Sequence, residues 1–100
     1  FAHNDPGAHG AYLAAKTANR ASAIRFVGVD ALPHEGIAYV QQGILDATFA
    51  YPTGGAQAIA TAIDLLSGKG ADKHISLPTR LYTQANVAAG GEELGPAKAR

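Results

Sequence analysis

One hundred residues suffice for a single domain with one core, and eight basic side chains are balanced by eight acidic ones. That balance leaves no basic surface for nucleic-acid binding by counterion release, and 47% apolar with 16% charged residues argues against disorder. Without cysteine the chain has neither a disulfide nor a thiolate zinc site, and no run approaches the roughly 18 apolar residues of a membrane span. No charged start followed by an apolar core and a cleavage site is visible. Phe1 opens inside an apolar run rather than at a methionine, so the chain is expected to begin partway through a longer product.

Phe1-Ala2-His3 reads as the end of a strand. Asp5-Pro6 is then a helix start, with Asp5 as N-cap and Pro6 at the first helical position. Across residues 6–18, Ala8, Ala11, Tyr12, Ala15 and Ala18 recur at three- and four-residue steps. This is an amphipathic pattern whose small residues permit close approach to a sheet. Asn19-Arg20 and Ser22 form the loop out. Residues 24–29 are β-branched and aromatic apart from Arg25 and Gly28, and read as a buried parallel strand. Pro33-His34-Glu35 opens a second, shorter helix with Ile37, Val40 and Ile44 on its inner face and Gly43 at its C-terminal stop. Residues 46–51 form the third strand, ended by Pro52. Thr53 is expected to cap a third helix through Ala56, Ile59, Ala60, Ile63 and Leu66, stopped by Ser67-Gly68-Lys69-Gly70. Residues 75–83 are extended, with Pro78 confining them to an edge or a crossing segment. Residues 88–100, rich in Gly, Ala and charge, are expected to be poorly ordered.

Three times, then, a short apolar run ends in a polar residue just before a helix signal. Repeated junctions of this kind predict an α/β fold, a parallel β-sheet with flanking helices, because parallel neighbours need a crossover. Ligands of open α/β sheets sit outside the carboxyl ends of the strands. Asn4, Asp30 and Tyr51 are therefore candidates to meet around one ligand.

No catalytic constellation is present: Gly-x-Ser-x-Gly, His-Glu-x-x-His and the P-loop signature are all missing. His3, His9, His34 and His74 lack the spacing of a helical zinc pair and read as loop or surface residues, so neither a metal nor a cofactor is expected. Thr53-Gly54-Gly55 could hold an anion on free amides, against the plainer reading of a capped helix start. Asn4 can donate to one hydroxyl and accept from another, or serve as a turn residue beside the Asp5 cap. Asp30 can accept two vicinal hydroxyls of a polyol, or cap the helix that begins near Pro33. Tyr51 can stack on the C–H face of a sugar, or be a half-buried aromatic at a strand end. For Arg80 the solvated reading is preferred to a salt bridge across a cleft.

Several segments together resemble a family. Phe1-Ala2-His3-Asn4-Asp5-Pro6, followed by Gly10-Ala11-Tyr12-Leu13-Ala14-Ala15-Lys16, is similar to the Asn-Asp segment of bacterial periplasmic sugar-binding proteins of the ribose-binding type. Val27-Gly28-Val29-Asp30-Ala31-Leu32-Pro33 resembles their next strand and its ligand-contacting aspartate. Gly43-Ile44-Leu45-Asp46-Ala47-Thr48-Phe49-Ala50-Tyr51-Pro52 is similar to the strand leading into the hinge between lobes, and Leu77-Pro78-Thr79-Arg80-Leu81-Tyr82-Thr83-Gln84-Ala85-Asn86-Val87 to the closing segment. The four matches run in order along the chain.

The resemblance implies the C-terminal portion of a periplasmic-binding-protein-like fold, with flavodoxin-like lobes. Residues 1–51 would be second-lobe strands and helices, 52–79 a hinge crossing and helix, and 80–100 a closing segment and tail. In the family two lobes close over a sugar and deliver it to a membrane ABC permease. By resemblance, Asn4 and Asp30 hydrogen-bond sugar hydroxyls, and Tyr51 stands where relatives often carry a glutamine. The helix after Thr53 belongs with the first lobe, and Gly7 and His9 replace bulkier apolar residues. The implied protein is a non-enzymatic binder of a monosaccharide or polyol, periplasmic or lipid-anchored outside a Gram-positive cell. Because the other wall of the cleft is missing, this chain alone should bind sugar weakly or not at all. Two alternatives stay open: the sugar-sensing domain of a LacI-type transcriptional regulator, and a short protein that self-associates through an unpaired strand edge.

Overall fold

The computed structural model describes residues 1–95. The first helix, α1, spans Asp5–Thr17, and its N-cap is Asn4. Asn4 is extended (φ −152°, ψ 165°), and its Oδ1 accepts the Gly7 N–H at 2.7 Å. The expected Asp5 cap is thereby corrected: the side chain one residue earlier satisfies the free donor, and Asp5 is left for another task. α1 stops at Asn19, whose left-handed φ of 58° turns the chain out of the helix. The Arg20 N–H then reaches the Ala15 carbonyl and the Asn19 N–H that of Lys16, a Schellman motif built on asparagine instead of glycine.

The face of α1 that carries Ala8 and Ala15 packs with Phe26, Val40 and Leu45 to form the core. Alanines allow the helix to come close, and Tyr12 meets Phe26 edge-on at 5.6 Å. Val40 comes from the second helix. That helix begins as a π-helical turn, Pro33–Ile37, and continues as α2, Ala38–Gln41. Gly43, at φ 74°, ends it as expected.

The sheet contains β1 (Ala47–Ala50), β2 (Thr79–Thr83) and β3 (Glu92–Leu94) in the order β1-β2-β3, with both pairings antiparallel. Among the described residues, the parallel bridge is at the other edge of β1, where Val27 pairs with Ala47. There the Gly28 N–H bonds the Ala47 carbonyl and the Asp30 N–H bonds that of Phe49. The α/β class therefore stands, while the expected parallel sheet is a mixed one. Residues 24–29 form only that single bridge rather than a full strand, and Ala2 joins them through one bond to the Val27 carbonyl. Asp46 clamps the entry to β1: its Oδ2 accepts the Phe26 N–H at 2.7 Å, and its Oδ1 takes Arg25 Nη1 at 3.0 Å.

Between β1 and β2 the chain leaves the sheet and builds α3, Gly55–Leu66. Its N-cap is Gly54 in a left-handed conformation (φ 76°), not Thr53, and no side chain caps it. The expected periodicity is there, but no residue of α3 is buried. Ile59, Ile63 and Leu66 are 65%, 58% and 90% exposed. Ile75 and Leu77 of the returning segment line an open groove against another side of the helix, at Gln57, Thr61 and Leu65. This arm gives the chain a radius of gyration of 17.4 Å, against about 13 Å for a compact domain of this length.

The return segment departs from expectation twice. β2 is the central strand of the three rather than an edge, and Pro78 sits just ahead of it, where no ladder donor is needed. Beyond it, a 3₁₀ turn at Val87–Ala89 and strand β3 replace the start of the expected disordered tail, because β2 offers Thr79, Arg80 and Leu81 as pairing partners. Residues 96–100 of that expectation lie outside the described residues.

Candidate functional site

Asp5 is fully buried. Its Oδ2 accepts the Ala31 backbone N–H at 2.7 Å, and its Oδ1 accepts the Thr48 hydroxyl at 2.6 Å. One carboxylate thus ties the start of α1 to the loop after Asp30 and to β1. Gly28 and Gly36 make the space: a Cβ on Gly28 would overlap Asp5 Oδ1, and one on Gly36 would overlap Oδ2. Asp5 takes part in no salt bridge among the described residues. Burial pushes its carboxyl above the usual range, the bonds from Thr48 and Ala31 oppose that, and the Asp30 and Glu35 charges add to it.

The loop held by Asp5 is strained. Asp30 and Ala31 have φ of 112° and 53°, and such conformations cost about 1–3 kcal/mol per non-glycine residue. A hydrogen bond within the protein contributes about 0.5–1.5 kcal/mol, more to a charged acceptor, so the Asp5–Ala31 bond offsets part of the strain of these two residues. The turn leaves Asp30 half-buried at the end of its segment, where its Oδ1 accepts the Tyr51 hydroxyl at 2.8 Å. Tyr51 is 54% exposed. Its hydrogen bond to Asp30, and then that group's negative charge, raise its phenol above the usual tyrosine range.

Asp30 and Tyr51 are therefore in direct contact although they come from different junctions. The Asp5–Ala31 bond ties the segment that carries Asn4 to the turn that carries Asp30, and no hydrogen bond joins Asn4 to Asp30 or Tyr51 among the described residues. The cap occupies Oδ1 of Asn4 and leaves its exposed Nδ2 without a hydrogen-bond partner among the described residues. Next to Tyr51 is an open groove of about 300 Å³ lined by Pro52, Pro78, Thr79, Arg80 and Glu93. Arg80 is not simply solvated, as its sequence context suggests. Its Nη2 bonds Glu93 at 3.2 Å and its Nη1 the Gly90 carbonyl at 3.1 Å.

The histidines play other parts. His9 packs on Tyr39 with ring centroids 4.4 Å apart, and His3 lies 5.6 Å from Phe1. The described residues contain no cluster of His, Asp and Glu that could hold a metal ion. Sequence reasoning missed the Asp5–Thr48 pair and the reason for Gly28 and Gly36. A glycine inside the apolar run Phe26-Val27-Gly28-Val29 was the one available signal, since a strand interior disfavours glycine unless another group approaches closely.

An α/β unit with Asp30 and Tyr51 at its strand ends, and α3 inserted between β1 and β2, has the fold of part of a periplasmic-binding protein. Solved structures agree. The chain is similar to the fructose-binding periplasmic domain of a hybrid two-component system, at 42% identity and a TM-score of 0.77 over 89% of this chain. It is also similar to a Caulobacter myo-inositol-binding protein in complex with myo-inositol, at 29% identity and a TM-score of 0.68 over 87% of this chain. An ABC-transporter solute-binding protein from Actinobacillus succinogenes with bound D-allose shares the fold, at 24% identity and a TM-score of 0.73 over 86% of this chain. No protein-family model matches the chain, and no curated protein does. In fold the chain belongs with the periplasmic sugar-binding proteins, as a segment that spans 30% of the length of each of these neighbours.

Proposed function

We propose that this chain is the C-terminal portion of a sugar- or polyol-binding protein of the ribose-binding type, with Asn4, Asp30 and Tyr51 on the ligand-facing rim. The observation that carries the reading is the Asp30 carboxylate at the rim, presented by a strained turn and already accepting one hydroxyl, that of Tyr51. A sugar hydroxyl can replace or join the phenol on the same acceptor. The Asn4 Nδ2 adds a donor, and the ring of Tyr51 adds a face for C–H stacking. The solved neighbours supply the ligand class, since they bind fructose, D-allose and myo-inositol.

The remaining wall of the cleft comes from the rest of a longer protein. The bare apolar stripe Ile59, Ile63 and Leu66 supports this, because an amphipathic helix needs a partner for its apolar face. On this reading α3 packs in the first lobe, and the protein is a non-enzymatic binder outside the cytoplasmic membrane. It serves a transport permease, as in the allose-bound neighbour, which is an ABC-transporter protein.

A second reading is favoured by the neighbour of 42% identity, the periplasmic domain of a hybrid two-component system. The same cleft would then feed a membrane-spanning sensor instead of a permease. Sequence flanking the chain discriminates: a kinase beyond a membrane span supports the sensor, a lone signal peptide the transporter, and an upstream helix-turn-helix the repressor reading.

Calorimetric titration of the intact protein with D-fructose, D-allose, myo-inositol and D-ribose tests the ligand class. Saturable binding of at least one of them is expected, and its loss in Asp30→Ala. No heat with any of the four would contradict the proposal.

A further inference from the structure

We infer that Asp5 is a positioning residue of this site, holding the Asp30–Ala31 turn in the conformation that presents Asp30 to a hydroxylated ligand. The inference rests on the reading of Asp30 as a ligand contact.

Asp5 is too deeply buried to touch a ligand itself. Nor does α1 need it as a cap, since Asn4 fills that role. What the carboxylate does is accept two donors, the Ala31 N–H and the Thr48 hydroxyl. The charged groups facing it are Asp30 and Glu35, both carboxylates, so no cation accounts for its burial. Two glycines on separate segments, Gly28 and Gly36, leave room for its two oxygens. The bonded N–H belongs to the second of two consecutive non-glycine residues with positive φ, and the first of them is Asp30. Without an acceptor at Asp5, relaxing Ala31 toward negative φ would swing Asp30 away from the rim and from Tyr51.

Asp5→Asn separates geometry from charge. Its carbonyl can still take the Ala31 N–H, and its amide can donate to Thr48 once that hydroxyl turns to accept. Asp5→Ala leaves both buried donors unpaired.

The test uses the intact protein, titrated calorimetrically with D-fructose, D-allose and myo-inositol, and amide hydrogen exchange at Ala31 in the sugar-free protein. Asp5→Ala is expected to weaken binding by about tenfold or more and to speed Ala31 exchange. Asp5→Asn should stay within about threefold of wild type. Adding Ala31→Gly to Asp5→Ala should recover part of the loss, because glycine adopts the turn unaided. A folded Asp5→Ala protein with wild-type affinity and a protected Ala31 amide would overturn the inference while Asp30→Ala still abolished binding. Should Asp5→Ala not fold, wild type and Asp5→Asn carry the test: an Ala31 amide protected in both, with Asp5→Asn binding within about threefold of wild type, supports the inference, and an Ala31 amide that exchanges freely in the wild type overturns it. If Asp30→Ala binds as wild type, or no sugar binds, the site reading itself falls and the inference with it. Ala31 exchange, read without sugar, tells that failure from a failure of the hydrogen bond.

Discussion

The Asp5 carboxylate and the Ala31 amide, 26 positions apart, meet in a buried hydrogen bond of 2.7 Å. That contact joins the first helix to the turn carrying Asp30, and Gly28 and Gly36 close around it. A methyl group on Gly36 would strike the same oxygen that holds Ala31. Gly36→Ala is accordingly expected to destabilise the fold by about 1–3 kcal/mol, read as a lowered urea midpoint. Gly10→Ala, with open space around it, should be neutral or stabilising by up to about 1 kcal/mol. Equal behaviour of the two would refute the packing account.

Stability should depend on pH through Asp5 in a definite sense. Its folded pKa is raised above 3.8, chiefly by burial. Below 3.8 the carboxyl is protonated in both folded and unfolded chains and costs nothing. As pH rises past that value the unfolded chain releases its proton first, and stability falls until the folded group has also ionised. Wild type should therefore lose stability relative to Asp5→Asn over this acid window and hold a constant gap at higher pH. Urea melts of both proteins from acid to neutral pH measure the difference, and parallel curves would show that burial does not perturb Asp5.

Asp30 should also govern the titration of Tyr51. The phenol lies above its usual 10.0 because it donates to the Asp30 carboxylate and feels its charge. Asp30→Asn removes the charge, and the Tyr51 titration, followed by NMR of labelled tyrosine rings, should move down toward the ordinary value. An unchanged titration would mean that the pair is not formed in solution.

Much of this was legible in the chain, and the failures have physical causes. The stop at Gly43 and the periodicity of α3 are local signals that spacing is enough to read, and of the expected α1 stripe Ala8 and Ala15 face the core while Ala11 and Ala18 are exposed. Asp5 was misread because an acid directly before proline has the chemistry of a cap. Only the fold reveals that Asn4 caps and that Asp5 faces Thr48, 43 positions away. Pairing direction was hidden for the same reason. An apolar run does not say which neighbour it will join, and β1 has a parallel contact on one edge and an antiparallel ladder on the other. Asp30 and Tyr51 stand out in the sequence by their position after apolar runs, and the structure joins them by one hydrogen bond. The strained turn that aims Asp30 leaves no mark in composition.

Core and arm should respond differently to truncation. Leu45 is fully buried, so Leu45→Ala should cost about 2–5 kcal/mol. Ile63→Ala, on the exposed stripe of α3, should change the stability of this chain alone by no more than about 0.5 kcal/mol. In the intact protein the same Ile63→Ala should be destabilising by about 2 kcal/mol or more if, as proposed, α3 packs against the first lobe. Denaturant melts of both forms check this, and a neutral result in the intact protein would leave α3 without the partner assigned to it.

The most direct test of sugar recognition at Asp30 is calorimetric titration of the intact protein and its Asp30→Ala variant with D-fructose, D-allose, myo-inositol and D-ribose. Saturable heat with at least one ligand, abolished in a variant that melts cooperatively, is the predicted result. No heat with any of them, or the same affinity after Asp30 has been removed, would contradict it.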